Sequence, residues 1–302
     1  MDDYILREFV TTHVKEGAWQ VVLLFWDELI RRDRSNNDEG GVSGDLKLRT
    51  LTWWPTDKDQ DLEVLCKVLI ESDCKLDSLD LRHNGVTDEG AKHIAAALSN
   101  SNCALNSLNL SWCKVTDEGA KHIAEALSNS NCALNSLNLS WCKVTDEGAK
   151  HIAEALSNAN CALNSLYLSG NGVRDEGTKH IAEALSNSNC TLNSLDLSFN
   201  GISDEGAKHI AKALSNANCA LNSLDLRSNG IADEGTKHIA EALSNSNCTI
   251  NSLNISSCRL TDEGLHHFVE ALEHSKYSLR ESFGQIEVTA EAKGQVSEEG
   301  LS

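Results

Sequence analysis

The sequence predicts an α/β solenoid, a horseshoe with a parallel sheet on its concave side and helices on its convex side. Three observations predict it. A 29-residue unit recurs in register from Leu76, Leu105, Leu134, Leu163, Leu192, Leu221 and Ile250, a period at which chains stack supersecondary units rather than fold one globule. Each unit opens with alternating aliphatic residues, such as Leu108 and Leu110, which suit the buried face of a short strand. Each then runs into residues such as Ala120, Ile123, Ala124 and Leu127, spaced for one face of a helix. The copies at 105–133 and 134–162 differ only at Ser130 against Ala159, as recent duplication of a finished part would leave them.

Stacking and curvature follow from elementary magnitudes. Each buried aliphatic side chain contributes about 1.5–3 kcal/mol, which cannot offset an ordering cost of about 1.5 kcal/mol per residue over one unit alone. Neighbours must therefore share a core, and the array cooperates. Parallel strands lie about 4.7–4.9 Å apart whereas packed helices need about 8–10 Å, so the array curves with its strands inside.

Taken in order, residues 1–34 read as one or two helices, with Ile5, Leu6, Phe9, Val10 and Val14 followed by the apolar run around Trp19 to Trp26. Residues 35–45 are polar and contain glycine, which suits a linker. The array with its divergent caps is expected over 46–283. Its first, weakened unit starts at Leu48, places Leu51 and Trp53 in a strand and Leu62, Leu65 and Leu69 on a helix, and holds the chain's one proline, Pro55. At the far end the unit beginning at Leu279 has Ser282 where a core leucine belongs, so the stack is expected to stop there. Residues 284–302 are polar and read as a disordered tail.

Within a unit, the ninth position is Asn or Cys (Asn84, Cys113, Cys142, Asn171, Asn200, Asn229, Cys258). Both can donate to the backbone where the chain leaves the strand, cysteine less well. An Asp-Glu pair such as Asp117-Glu118 stands at the start of the helix in each of the seven copies, where negative charge is favourable. The residue before it varies to Arg174 and Ala232, so the aspartate is the expected cap or first-turn charge.

Composition excludes several function classes. The net charge of −19 argues against a general nucleic-acid binder, whose phosphate contacts need clustered lysine and arginine. The start Met1-Asp2-Asp3-Tyr4 lacks the basic flank of a secretory leader and Val21 to Trp26 is too short to span a bilayer, so a cytoplasmic protein with no membrane partner is expected. Of the 11 cysteines, Cys74, Cys103, Cys132, Cys161, Cys190, Cys219 and Cys248 each stand two residues before a unit, which makes them a packing ladder of buried free thiols. His93, His122, His151, His180, His209, His238 and His267 are likewise in register, and helix spacing of about 8–10 Å keeps neighbours from sharing a metal. No nucleophile, paired-carboxylate or phosphate-loop pattern stands out, so neither catalysis, nor a cofactor, nor a metal is expected.

The informative residues are those where the copies disagree. At the fifth, seventh and eighth positions the units carry Arg82, Trp112, Trp141, Tyr167, Asp196, Phe199, Asp225 and Arg227. Trp112 and Trp141 share one position on adjacent strands and should stack, with Tyr167 and Phe199 further along, and adjacent exposed aromatics make good contact hot spots. Asp196, Asp225 and Arg227 form a mixed polar patch beyond them. These eight residues are the candidate surface for a protein ligand on the concave face.

Leu105, Leu108, Leu110, Cys113 and Val115 follow L-x-x-L-x-L-x-x-N/C-x-L, and here the chain resembles leucine-rich repeats. Unit length, a helix in every copy and the Asp-Glu-Gly turn make it similar to the ribonuclease-inhibitor type, found also in the sensor regions of intracellular NACHT-type NOD-like receptors. The resemblance covers 46–283, and the stretch from His13 to Phe25 is similar to the helical tail preceding such repeats. It implies a protein-interaction or ligand-sensing module of innate immunity. A nucleotide-binding engine is not visible, since no G-x-x-x-x-G-K-[ST] occurs. Similar arcs occur in the activator of the Ran GTPase and in ribonuclease inhibitors, which supply the alternative functions.

Overall fold

A computed structural model describes residues 50–52, 59–70, 76–272, 277–282 and 285–290. Strand and helix alternate without exception from β1 to the last helix. In order they are β1 (Thr50–Thr52), α1 (Asp59–Leu69), β2 (Ser78–Asp80), α2 (Asp88–Leu98), β3 (Ser107–Asn109), α3 (Asp117–Leu127), β4 (Ser136–Asn138) and α4 (Asp146–Leu156). They continue with β5 (Ser165–Tyr167), α5 (Asp175–Leu185), β6 (Ser194–Asp196), α6 (Asp204–Leu214), β7 (Ser223–Asp225), α7 (Asp233–Leu243), β8 (Ser252–Asn254) and α8 (Asp262–Leu272), and end with β9 (Tyr277–Ser282) and β10 (Gln285–Ala290).

Strands β1 to β8 pair in sequence order, all parallel and in strict register, with Ser107 opposite Ser136 and Leu108 opposite Leu137. Between the strands and helices the first, fourth and sixth residues of each unit are buried (Leu105, Leu108 and Leu110 in one copy), as are Val115, Ala120, Ile123 and Leu127 behind them. The alanines keep the helices close to the sheet. Leu62, Leu65 and Leu69 of α1 are buried against the same core, and Thr50 pairs with Ser78. Cys103, Cys132, Cys161, Cys190, Cys219 and Cys248 are buried in a row.

One expectation is overturned. The stretch read as a tail from 284 contains β10, which pairs antiparallel with β8 through Val288 and Leu253 and with β9 through Val288 and Leu279. Alternation of Ile286, Val288 and Ala290 with polar residues is a strand signal, and it was masked by the low hydrophobicity around it. The hairpin occupies the sheet edge that β8 would otherwise leave open. The expected helices of 1–34, the linker at 35–45, Trp53 and residues 291–302 lie outside the described residues.

Three ladders of side chains tie each unit to the next. Asn200 Nδ2 donates to Leu168 O of the preceding unit at 2.9 Å and to its own Leu197 O at 3.1 Å, while its Oδ1 accepts the N–H of Asn171 at 3.1 Å. Cysteine does less at this position, with the Cys113 thiol donating to Leu81 O and the Cys142 thiol to Leu110 O, each at 3.2 Å. At the helix C-termini Asn131 Nδ2 donates to Ser99 O and Asn160 Nδ2 to Ser128 O, each at 3.1 Å. The third ladder belongs to the aspartates.

Those aspartates do cap helices, but not their own. Asp117 Oδ1 accepts the N–H of Thr145 at 2.7 Å and of Gly148 at 3.0 Å, and its Oδ2 accepts the Thr145 hydroxyl at 2.7 Å, so Asp117 of α3 caps α4. Asp88, Asp146, Asp175 and Asp204 serve their following helices in the same way. The glycine is what permits the approach: a Cβ on Gly148 would stand 2.5 Å from Asp117 Oδ1 and 2.8 Å from Val144 Cγ1.

Candidate functional site

The site lies where each strand hands over to its loop. The eighth residue of each unit must turn the chain while still donating to the sheet, and it does so with a left-handed backbone. His83, Trp112, Trp141, Phe199, Ser228 and Ser257 have φ between 55° and 60°, with Gly170 at 65° in the one unit that uses glycine there. The Trp112 N–H reaches Ser140 O at 2.9 Å, Trp141 N–H reaches Ser169 O at 2.7 Å, and Phe199 N–H reaches Arg227 O at 3.0 Å. This geometry throws the side chain outward from the rim of the sheet.

An aromatic file results. Trp112 and Trp141 stack with ring centroids 4.8 Å apart and planes 10° from parallel. His83 stacks on the outer face of Trp112 at 5.4 Å and 19°. Trp141 reaches across Gly170 to Phe199 at 5.6 Å, and Arg227 lies with its guanidinium 5.7 Å from the Phe199 centroid. Glycine at 170 makes that reach possible, since a Cβ there would stand 2.3 Å from Trp141 Cδ2. Trp112, Trp141 and Phe199 remain 50%, 39% and 43% exposed.

The energetics of the file are nearly neutral for folding. A non-glycine residue in the left-handed region costs about 1–2 kcal/mol, and an aromatic pair returns about 0.5–1.5 kcal/mol beyond its area. Ser228 and Ser257 hold the same backbone without a ring. Stability alone therefore does not call for indoles here.

The other candidate residues divide between surface and scaffold. Asp196 and Asp225 face the open side of the sheet, yet each Oδ1 closes a turn, accepting from Ser198 N–H and Arg227 N–H respectively, each at 2.9 Å. Asn109, Asn138 and Asn254 do the same for Ser111, Ser140 and Ser256. Tyr167 is half-buried on β5 at that position and cannot close such a turn through an oxygen near its backbone. Arg82 is exposed and pairs with Asp80, its Nε donating to Oδ2 at 2.8 Å. The seventh-position serines Ser111, Ser140, Ser169, Ser198 and Ser256 are buried, so of each varying pair only the eighth residue, or an arginine at the seventh, faces outward.

Burial and the neighbouring Asp196 charge raise the Asp225 carboxyl above its ordinary range, although the Arg227 N–H and guanidinium pull it down. Burial likewise raises the thiols, Cys66 and Cys142 to about 12, so these cysteines are packed groups rather than nucleophiles. The histidines sit on the helices between glutamates, His122 Nε2 being 3.6 Å from Glu118 and Nδ1 3.8 Å from Glu125. Among the described residues no group of three His, Cys, Asp or Glu is placed to hold a metal, and no helix is long and apolar enough to cross a membrane.

Sequence reasoning did not place His83 in the file, although it holds the same repeat position as Trp112. It also passed over Lys114 and Lys143, exposed two residues beyond each tryptophan.

Seven segments of the chain, 72–95, 101–124, 130–153, 159–182, 188–211, 217–240 and 246–266, match the family described as Leucine Rich repeat. No curated protein sequence matches the chain. Among solved structures it is similar to the actin-binding site 2 of leiomodin-1, with 23% identity, 47% of this chain and 79% of that one covered, and a TM-score of 0.38. It is also similar to TLR13 in a complex with a single-stranded RNA, with 16% identity, 72% of this chain covered but only 30% of that one, and a TM-score of 0.41.

Proposed function

The chain belongs to the leucine-rich-repeat family, and we propose that it is a non-catalytic protein-interaction module whose partner lies along the aromatic file and the adjoining concave face. The observation that carries this reading is the run of ring contacts from His83 through Trp112 and Trp141, which stack, to Phe199, which meets Trp141 at a tilt. It concentrates exposed aromatic area at one rim, where such residues dominate binding energetics, while returning almost nothing to stability. Asp196, Asp225, Arg227, Arg82 and Tyr167 border it and supply polar contacts of both signs.

In its finer form the proposal is a ligand-sensing repeat region of NOD-like-receptor type, working in the cytoplasm. The similarity of 46–283 to ribonuclease-inhibitor-type repeats and of His13 to Phe25 to a receptor's helical tail supports it.

A binding screen with the whole chain as bait, followed by Trp112→Ala with Trp141→Ala, tests the surface. We expect the double variant to remain folded and to lose at least tenfold in affinity for its partner. Unchanged binding would sink the assignment of the file. Acceleration of GTP hydrolysis by Ran at catalytic amounts of the chain would overturn the non-catalytic reading.

A further inference from the structure

We propose that the aromatic file takes an acidic, apolar-bearing peptide segment of its partner, with Lys114 and Lys143 as the residues that select its charge. This deepens the interaction reading above and rests on it. The chain as a whole is strongly acidic, with a formal net charge of −19. The loop rim is not. From the seventh to the eleventh position none of the seven units beginning at Leu76 through Ile250 carries a carboxylate, while Arg82, Lys114, Lys143, Arg227 and Arg259 stand there and are exposed.

Compensation differs along the rim. Arg82 pairs with Asp80 and Arg227 lies beside Asp225, because those units have aspartate at the fifth position. The two tryptophan units have neutral Asn109 and Asn138 there instead, with their oxygens already closing turns. Among the described residues the lysine ion pairs fall on helices, as at Lys121 and Lys150, and neither Lys114 nor Lys143 takes part in one. The helix aspartates Asp88 and Asp117 have their carboxylates hydrogen-bonded to the caps of α3 and α4. Positive charge outside any ion pair therefore coincides with the exposed tryptophan pair.

Ring orientation decides the class of ligand. Trp112 is sandwiched between His83 and Trp141, so its faces are taken and its edge is what a ligand meets. A nucleobase binds such platforms through the face, whereas a ridge of ring edges suits aliphatic or aromatic side chains. From His83 to Phe199 the file crosses four strand steps, about 19 Å at the usual spacing. An extended peptide covers that in about six residues. A short segment with alternating acidic and apolar side chains fits both the ridge and the lysines behind it.

The test uses the full chain and a fluorescein-labelled, end-capped ten-residue peptide of alternating Glu and Leu, read by anisotropy. Parallel probes replace Glu by Lys, replace Leu by Ser, or are a ten-nucleotide oligo-dT. Expected is saturable binding of the Glu-Leu peptide that weakens with salt, falls at least tenfold in Lys114→Glu with Lys143→Glu, and falls similarly in Trp112→Ala with Trp141→Ala. Both variant pairs must keep the parent's thermal melt, and Lys114→Gln with Lys143→Gln should give an intermediate loss. No binding of the Glu-Leu peptide, binding indifferent to the lysine charge reversal, or tighter binding of the Lys-Leu peptide or oligo-dT would overturn the proposal. If the Lys-Leu peptide binds more tightly and the tryptophan variant abolishes it, the file survives as a docking surface and its charge preference fails; if oligo-dT does so, the file survives and the peptide class of ligand fails. Binding of a natural partner that ignores the tryptophan variant would remove the interaction reading itself.

Discussion

Asp117 and Gly148 share a 3.0 Å hydrogen bond across a repeat boundary, the carboxylate of one helix accepting the N–H of the next. With the two bonds to Thr145 it makes each aspartate a bracket between units rather than a local cap.

Asp117→Ala should therefore cost about 2–3 kcal/mol, within the range for a lost charged acceptor that leaves helix N–H groups unpaired. The neighbouring Glu118 is exposed and makes only long contacts to Lys121 and His122 at 3.8 and 3.6 Å, so Glu118→Ala should stay within about 0.5 kcal/mol. Urea unfolding of the two variants checks the contrast, and equal losses would refute the bracket.

Gly148→Ala reverses an ordinary expectation. In an isolated helix alanine is better than glycine by about 1 kcal/mol. Here the added Cβ meets Asp117 Oδ1 and Val144 Cγ1 at 2.5 and 2.8 Å, so the substitution should lower the melting temperature and weaken the Asp117 cap with it. In a double-mutant cycle with Asp117→Ala the two losses should be clearly non-additive.

Cys142→Asn should stabilise the fold by about 1 kcal/mol, the net contribution of one further hydrogen bond. The Cys142 thiol has one proton, which it donates to Leu110 O at 3.2 Å, while its sulfur also meets the backbone N–H groups of Cys113 and Val115. Asn200, at the same position of its unit, donates to Leu168 O and Leu197 O and accepts from Asn171 and Val173. A lower urea midpoint in the variant would show that the asparagine ladder cannot be extended into the tryptophan units.

Asp225 gives a pH dependence. Its carboxyl is raised above the ordinary value of 3.8, first by burial and then by the charge of Asp196, so the folded chain holds that proton more tightly than the unfolded chain does. Ionising it costs stability as pH rises from 3.8 through the raised value, and the cost is fully present above that value. Asp225→Asn keeps an oxygen for the Arg227 N–H, as Asn254 does for Ser256 at 3.0 Å. The variant should be more stable than the parent at pH 7 and indistinguishable from it below pH 3.8, which thermal melts across that range will measure.

Much of the architecture was legible in the residues alone. The strand alternation of Leu108 and Leu110 and the helical spacing of Ala120, Ile123 and Leu127 each report a face, and a face is a local property of one element. The hairpin of β9 and β10 was not legible, because its alternation is short and lies in polar sequence that breaks the register. Of the candidate surface, Trp112 and Trp141 stood out by departing from their copies. His83 did not, since an exposed histidine carries no signal until Trp112 is seen against it.

The sequence by itself determined the period, the order of strand and helix, and which side chains form the core, because these follow from spacing within one unit. Only the tertiary structure decided which unit each polar group serves. Every copy carries the same aspartate and glycine, so a bond from Asp117 to Gly119 and one from Asp117 to Gly148 are indistinguishable on paper, and stacking distance alone selects the second. The same holds for the file, where Gly170 adds no side chain of its own and thereby lets Trp141 and Phe199 meet across it.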